Sequence, residues 1–146
     1  MIVLESSWRK DFPFFDGDLV YLDTDDAKPS SAIADQGTEA ANQEDFHDRF
    51  AGVAMQASPS GDTDPIRVAT SGVFEFDCIS ATFEVGALVG DDENTGGTAL
   101  EDQTVASVAT ANLAVGRCAK RVNPAGTRVL VDVVSTMLRG GPQPVA

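Results

Sequence analysis

Carboxylates are the commonest reactive groups in this chain, and they are clustered. Asp16, Asp18, Asp23, Asp25 and Asp26 form one group, and Asp91, Asp92 and Glu93 another. Such groups suit two chemistries, calcium ligation by oxygen and acid–base hydrolysis by a carboxylate pair. The first group lacks the glycine and the closing glutamate that a calcium loop of the EF-hand type requires in register. Both groups lie in turn-like sequence, where aspartate serves the turn itself. His47 is the sole histidine and sits between Asp45 and Asp48 with no Ser or Cys beside it, so it reads as a solvated loop residue. Cys78 and Cys118 are forty residues apart and belong to no C-x-x-C pair. They read as buried thiols acting as small apolar residues, with a disulfide left open. One histidine and two scattered cysteines do not make a zinc set. There is no glycine-rich phosphate loop followed by Lys and no G-x-S-x-G elbow. The expectation is a protein without catalytic residues, metal ligands or a cofactor.

The elements that must position any functional surface are repeated. Phe50 to Thr70 reads as strand, turn, strand: Ala51, Val53 and Met55 alternate, Ser58-Pro59-Ser60-Gly61-Asp62 turns, and Ile66, Val68 and Thr70 resume. The pattern returns from Ala114 to Val133. Gly52 matches Gly116, Ala54 matches Cys118, Pro59-Ser60-Gly61 matches Pro124-Ala125-Gly126, and Ile66-Arg67-Val68 matches Val129-Leu130-Val131. Each copy follows a Gly-led strand, Gly17 to Tyr21 in one half and Gly86 to Val89 in the other. Val73 to Cys78 and Ala81 to Val85 read as two separate strands, Asp91 to Gly97 as an acidic loop, and Val105 to Ala109 as a further strand. The sequence therefore predicts an all-β protein, a small barrel or sandwich of eight or nine short antiparallel strands built from two similar halves. Thirteen Gly and seven Pro in 146 residues agree with a turn-rich β protein.

The predicted organisation is an extended N-terminal arm over 1–16, one β domain over 17–138 with halves at about 17–77 and 85–134, and a flexible tail over 139–146. The arm holds Trp8, Phe12, Phe14 and Phe15, four of the ten aromatic residues, around Pro13. Residues 27–49 read as a long polar surface loop with one helical turn near Glu39 to Phe46, and no helix longer than two turns is expected.

The net charge is −13. Residues 1–100 carry 20 acidic and 5 basic groups, whereas residues 101–146 carry 3 and 5. An acidic excess of this size opposes nucleic-acid binding and docking to an anionic membrane. No apolar run approaches the roughly 18 residues of a membrane span, and Met1-Ile2-Val3-Leu4 leads into Glu5-Ser6-Ser7 without the pattern of a signal peptide.

F-A-G-V-A-M at 50–55, I-R-V-A-T-S-G-V-F-E-F at 66–76, V-G-A-L-V-G at 85–90, V-G-R-C-A-K-R-V at 115–122 and V-L-V-D-V at 129–133 together resemble a family of tailed-phage structural proteins, the small capsid decoration or cement proteins. The resemblance spans roughly residues 17–134. It implies a non-enzymatic β-barrel protein on the outer surface of a virion capsid, commonly trimeric, that binds the major capsid protein and stabilises the head. Under it, Trp8, Phe12, Phe14 and Phe15 are the candidate capsid or subunit contacts. Arg117 and Arg121, which strand alternation puts on one face, add polar contacts. The alternative from another class is a virion-associated carbohydrate- or receptor-binding β module.

Overall fold

The computed structural model describes residues 13–24, 26–59 and 64–143, together with the backbone of residues 2–4. Five strands, β1 (Ile2–Leu4), β2 (Leu19–Asp23), β3 (Asp26–Pro29), β4 (Phe50–Ala54) and β5 (Ile66–Ala69), form an antiparallel sheet in the order β1-β5-β4-β2-β3. Five more, β6 (Ser71–Phe83), β7 (Leu88–Glu93), β8 (Leu100–Ser107), β9 (Gly116–Cys118) and β10 (Val122–Val134), close into a barrel in the order β10-β6-β8-β7-β9. The all-β, small-barrel expectation holds. One pair departs from it: β6 and β8 run parallel, meeting only at Asp77–Thr104 and Cys78–Val105.

Strand alternation explains how both units share their apolar residues. Leu19 and Tyr21 of β2 join a core that runs through the barrel with Phe76, Val89, Val105, Val129 and Val131. Val20 lies on the opposite face and packs with Phe14, Ala51, Ala54, Ile66 and Val68 in a second core. Period-two alternation on a strand buried on both sides produces this division.

Most of the repeat seen in the sequence is present in the backbone; the expected turn at Pro124-Ala125-Gly126 lies instead within β10, and its counterpart Ser60-Gly61 lies outside the described residues. β2-β4-β5 and β7-β9-β10 are equivalent runs of neighbours. Val20 faces Gly52 as Val89 faces Gly116, and Ala54 faces Val68 as Cys118 faces Val131. Gly17 N–H donates to the Ala54 carbonyl at 2.8 Å, and Gly86 N–H to the Cys118 carbonyl at 2.8 Å. Asp18 N–H donates to the Phe15 carbonyl at 3.1 Å, and Ala87 N–H to the Glu84 carbonyl at 3.1 Å. The match extends further back than the sequence suggested, because the Phe14–Ser58 bridge corresponds to the Phe83–Val122 pair.

Four expectations change. Residues 27–49 are not a loop: they contain the end of β3, a 3-10 turn at Ser30–Ala32, and the helix α1 (Glu39–Arg49) of eleven residues. Thr38 caps α1 through its side chain, accepting from Ala41 N–H. Its inner face carries Asn42, Gln43 and Phe46, so the helical period is filled largely by polar residues and gives no apolar stripe. Residues 71–83 are one strand, not two, because β10 pairs along nearly its whole length. Asp91 and Asp92 belong to β7 and are buried, rather than opening a loop. Pieces of the terminal segments are also packed. Ile2–Leu4 pairs with Ile66–Val68, and Phe14 is 1% exposed. At the other end, α2 (Thr136–Arg139) is closed by Gly140 and Gly141, whose N–H groups bond the Thr136 and Ser135 carbonyls.

A Cβ at Gly52 would lie 2.0 Å from the Ala69 carbonyl oxygen, and one at Gly116 would lie 2.2 Å from the Asp132 carbonyl oxygen. These obstacles are backbone atoms of the neighbouring strand, which no side-chain rotation clears. Gly52→Ala and Gly116→Ala are each expected to lower unfolding free energy by about 3 kcal/mol or more, measured by urea denaturation. A loss below about 1 kcal/mol would show that the strands can part without harm.

Candidate docking surface

Of the six contact residues expected from the sequence, Trp8 and Phe12 lie outside the described residues. Phe14 and Phe15 point to opposite sides of an extended chain and so part company. Phe14 is a core residue, 1% exposed, whereas Phe15 is 60% exposed. Arg117 and Arg121 are not brought together. Arg117 lies on β9, where its guanidinium donates to the Gly86 carbonyl at 2.7 Å and to the Gln143 carbonyl. β9 ends at Cys118, so alternation does not carry through to Arg121, which instead pairs with Glu84 at 3.0 Å.

Phe15 lines an apolar groove of about 430 Å³ with Pro13, Phe14, Ala57, Ser58 and Pro59. The duplication supplies an internal comparison for it. Phe15 stands where the second half has Glu84, and Ala57 stands where it has Arg121. In the second half those positions form a solvated ion pair. The same backbone thus carries a paired charge in one half and an uncovered aromatic ring in the other. Solvent-exposed ion pairs are nearly neutral for stability, so the fold does not demand an apolar pair here.

The turn that presents Phe15 is held by a buried carboxylate. Asp18 is 1% exposed. One of its oxygens accepts from Phe15 N–H at 2.8 Å, the other from the Gln103 side-chain amide of β8 at 2.8 Å. The same Gln103 nitrogen donates to the Asp16 carbonyl at 3.1 Å. Burial pushes the Asp18 carboxyl up to about 6, against the pull of these hydrogen bonds.

Asp18 begins a line of carboxylates along the contact between sheet and barrel. Asp102 accepts from Ser31 N–H at 2.8 Å and from the Ser31 hydroxyl at 3.0 Å. Glu93 accepts from Asn42 of α1 at 2.8 Å, and Gln43 donates to the Asp91 carbonyl at 2.7 Å. Asp91 itself is fully buried, and neither carboxyl oxygen has a hydrogen-bond partner. Burial raises it well above the ordinary carboxylate range; the nearby Ser30 hydroxyl pulls it down in part, and Asp102, Asp92 and Glu101 push it further up. Burial and neighbouring carboxylates also raise Asp92 and Glu39. Sequence reading missed this line because its members are scattered among strands and a helix that read as loops.

The remaining polar candidates are structural. His47 Nδ1 meets the Ala114 carbonyl at 2.8 Å, tying α1 to the segment before β9. Cys78 and Cys118 are free buried thiols whose Sγ atoms donate to the Gly126 and Lys120 carbonyls. Arg49 stacks 4.8 Å over the Tyr21 ring and pairs with Asp45 at 3.0 Å. Among the described residues, no three His, Cys, Asp or Glu side chains converge on a metal position, and no helix is long and apolar enough to cross a membrane. No family model, curated protein or solved structure matches the chain.

Asp91 and Asp18 both favour the folded state when protonated. Their contribution is complete below the unfolded carboxylate value of about 3.9 and is lost as pH rises through the folded values. Asp91→Asn is therefore expected to match wild type in stability near pH 4 and to exceed it increasingly toward pH 8. The difference should grow by at most about 1.4 kcal/mol per pH unit. Urea midpoints at pH 4, 6 and 8 measure it, and a constant difference would show that Asp91 ionises in the fold at the same pH as in the unfolded chain.

Proposed function

We propose that this protein is a non-enzymatic capsid decoration protein of a tailed phage. It binds the outer face of the head through the Phe15 groove, against the major capsid protein, and stabilises the shell as a homotrimer. The observation that carries the docking reading is the exposed Phe15 groove at a place where the duplicated half has an ion pair. An aromatic ring beside a proline-walled groove is the kind of anchor that dominates interface energies. The sequence pattern over residues 17–134 supports the virion setting. A duplicated β fold with a continuous core supplies the rigidity that a reinforcing protein needs. Assembly in many copies makes modest single contacts sufficient. The negative charge of residues 1–100 keeps decorated particles apart.

Removing the whole N-terminal segment is a poor test, because it would take away β1 and the core residue Phe14. The better variant copies the second half: Phe15→Glu together with Ala57→Arg. It is expected to fold like wild type and to lose about 2 kcal/mol or more of head binding, on the order of 30-fold in Kd. Binding is measured by co-sedimentation with heads assembled without the protein, and wild type should raise the temperature at which those heads disrupt. Full occupancy by the double variant would remove the groove from the interface. Failure of wild type to bind any head would remove the capsid reading altogether.

A further inference from the structure

We propose that Asp18 makes the Phe15 surface proton-gated: the ionised carboxylate ties the Phe15 N–H to the barrel through Gln103, and protonation loosens that tie. The inference concerns regulation of the docking surface and rests on that reading of the groove.

The geometry isolates one role for the side chain. The backbone turn at Phe15–Asp18 also exists at Glu84–Ala87, with the same 3.1 Å bond, and there an alanine takes the place of Asp18. The turn therefore forms without a carboxylate. What Asp18 adds is a tie in two directions, to Phe15 N–H and, through Gln103, to the barrel. Both groups facing its oxygens are donors. A carboxylate accepts from both, whereas a carboxylic acid has one good acceptor and one O–H donor. On protonation, either Phe15 N–H loses its partner, or the Gln103 amide turns its oxygen toward the new O–H and gives up its bond to the Asp16 carbonyl. Each route loosens the segment that carries Phe15.

Among the described residues, few other charges act on the site. Asp102 of β8 faces Asp18 and opposes its ionisation. Asp16 is exposed on the same turn, and β4 contributes only the Ala54 backbone, whose N–H donates to the Asp18 carbonyl at 2.8 Å. Among the described residues no cation is placed to pin the ionised form, and burial carries the transition up to about 6.

The test combines two measurements on wild type, Asp18→Asn and Asp18→Ala. In the free protein, ¹H–¹⁵N spectra recorded from pH 4.5 to 8 should show the Phe15 amide and the Gln103 side-chain amide moving together, with a midpoint near 6. Neither variant should show that transition, and Asp18→Ala should keep a folded spectrum, as the Ala87 turn implies. Head binding by wild type should fall severalfold between pH 7.5 and 5, whereas binding by Asp18→Ala should be flat over that range. A Phe15 amide that does not titrate, or that titrates equally in Asp18→Ala, overturns the gate. So does wild-type binding that stays level across the range. If no head binds at any pH, the docking reading fails, and the gate is decided by the spectra alone.

Discussion

Two carbonyl oxygens, those of Ala69 and Asp132, occupy the space where a side chain would begin at Gly52 and Gly116. This close approach fixes much else. It locks β4 against β5 and β9 against β10, and so sets which residues face which core. It places the Gly-led strands β2 and β7 on the far side of the same short strands. Val68 and Val131 each reach over the glycine with a γ-methyl 2.9 Å from the missing Cβ. The space denied to one side chain is filled by another from the next strand, at both sites in the same way.

This part of the fold was legible because its cause is local and its residues are distinctive. Glycine beside small and β-branched residues, repeated at matching positions, reports a close backbone approach directly. The helix α1 was not legible for the opposite reason. Its buried face is made of Asn42, Gln43 and Phe46, and the first two are buried through hydrogen bonds to β7 and its neighbours rather than through apolar contact. Hydrophobic periodicity does not register a face that is satisfied in this way. Asp91 and Asp92 misled for a related reason, since consecutive acidic residues signal a turn and not a buried strand. Among the aromatic residues near the N-terminus, the sequence singled out Phe14 and Phe15 together and could not divide them. Alternation buries Phe14 and exposes Phe15, and only the pairing of Phe14 with Ser58 fixes which is which.

The contact between sheet and barrel depends on acceptors more than on ion pairs. Asp18, Asp102 and Glu93 each bind neutral donors, an amide, hydroxyls or backbone N–H groups. Ion pairs of Lys28, Arg49, Arg121 and Arg128 lie elsewhere, with Asp23, Asp45, Glu84 and Glu75. Neutral donors stabilise a carboxylate less than a guanidinium does, so at Asp18 burial outweighs them and the carboxyl holds its proton to higher pH. That choice gives the contact a sensitivity to acidity that arginine or lysine partners would have removed.

The barrel closes through a narrow join. β6 and β10 pair along most of their length, whereas β6 meets β8 at two residue pairs, in the weaker parallel arrangement. A cylinder sealed so unevenly does not loosen uniformly. Its short joins are β6 with β8 and β7 with β9, two residue pairs each, and parting the few hydrogen bonds of either turns the tube into a curved sheet while both long strands stay paired. The strand pairing is therefore uneven in direction: long across the β6–β10 ribbon, and short at the joins beside Cys78 and Val89.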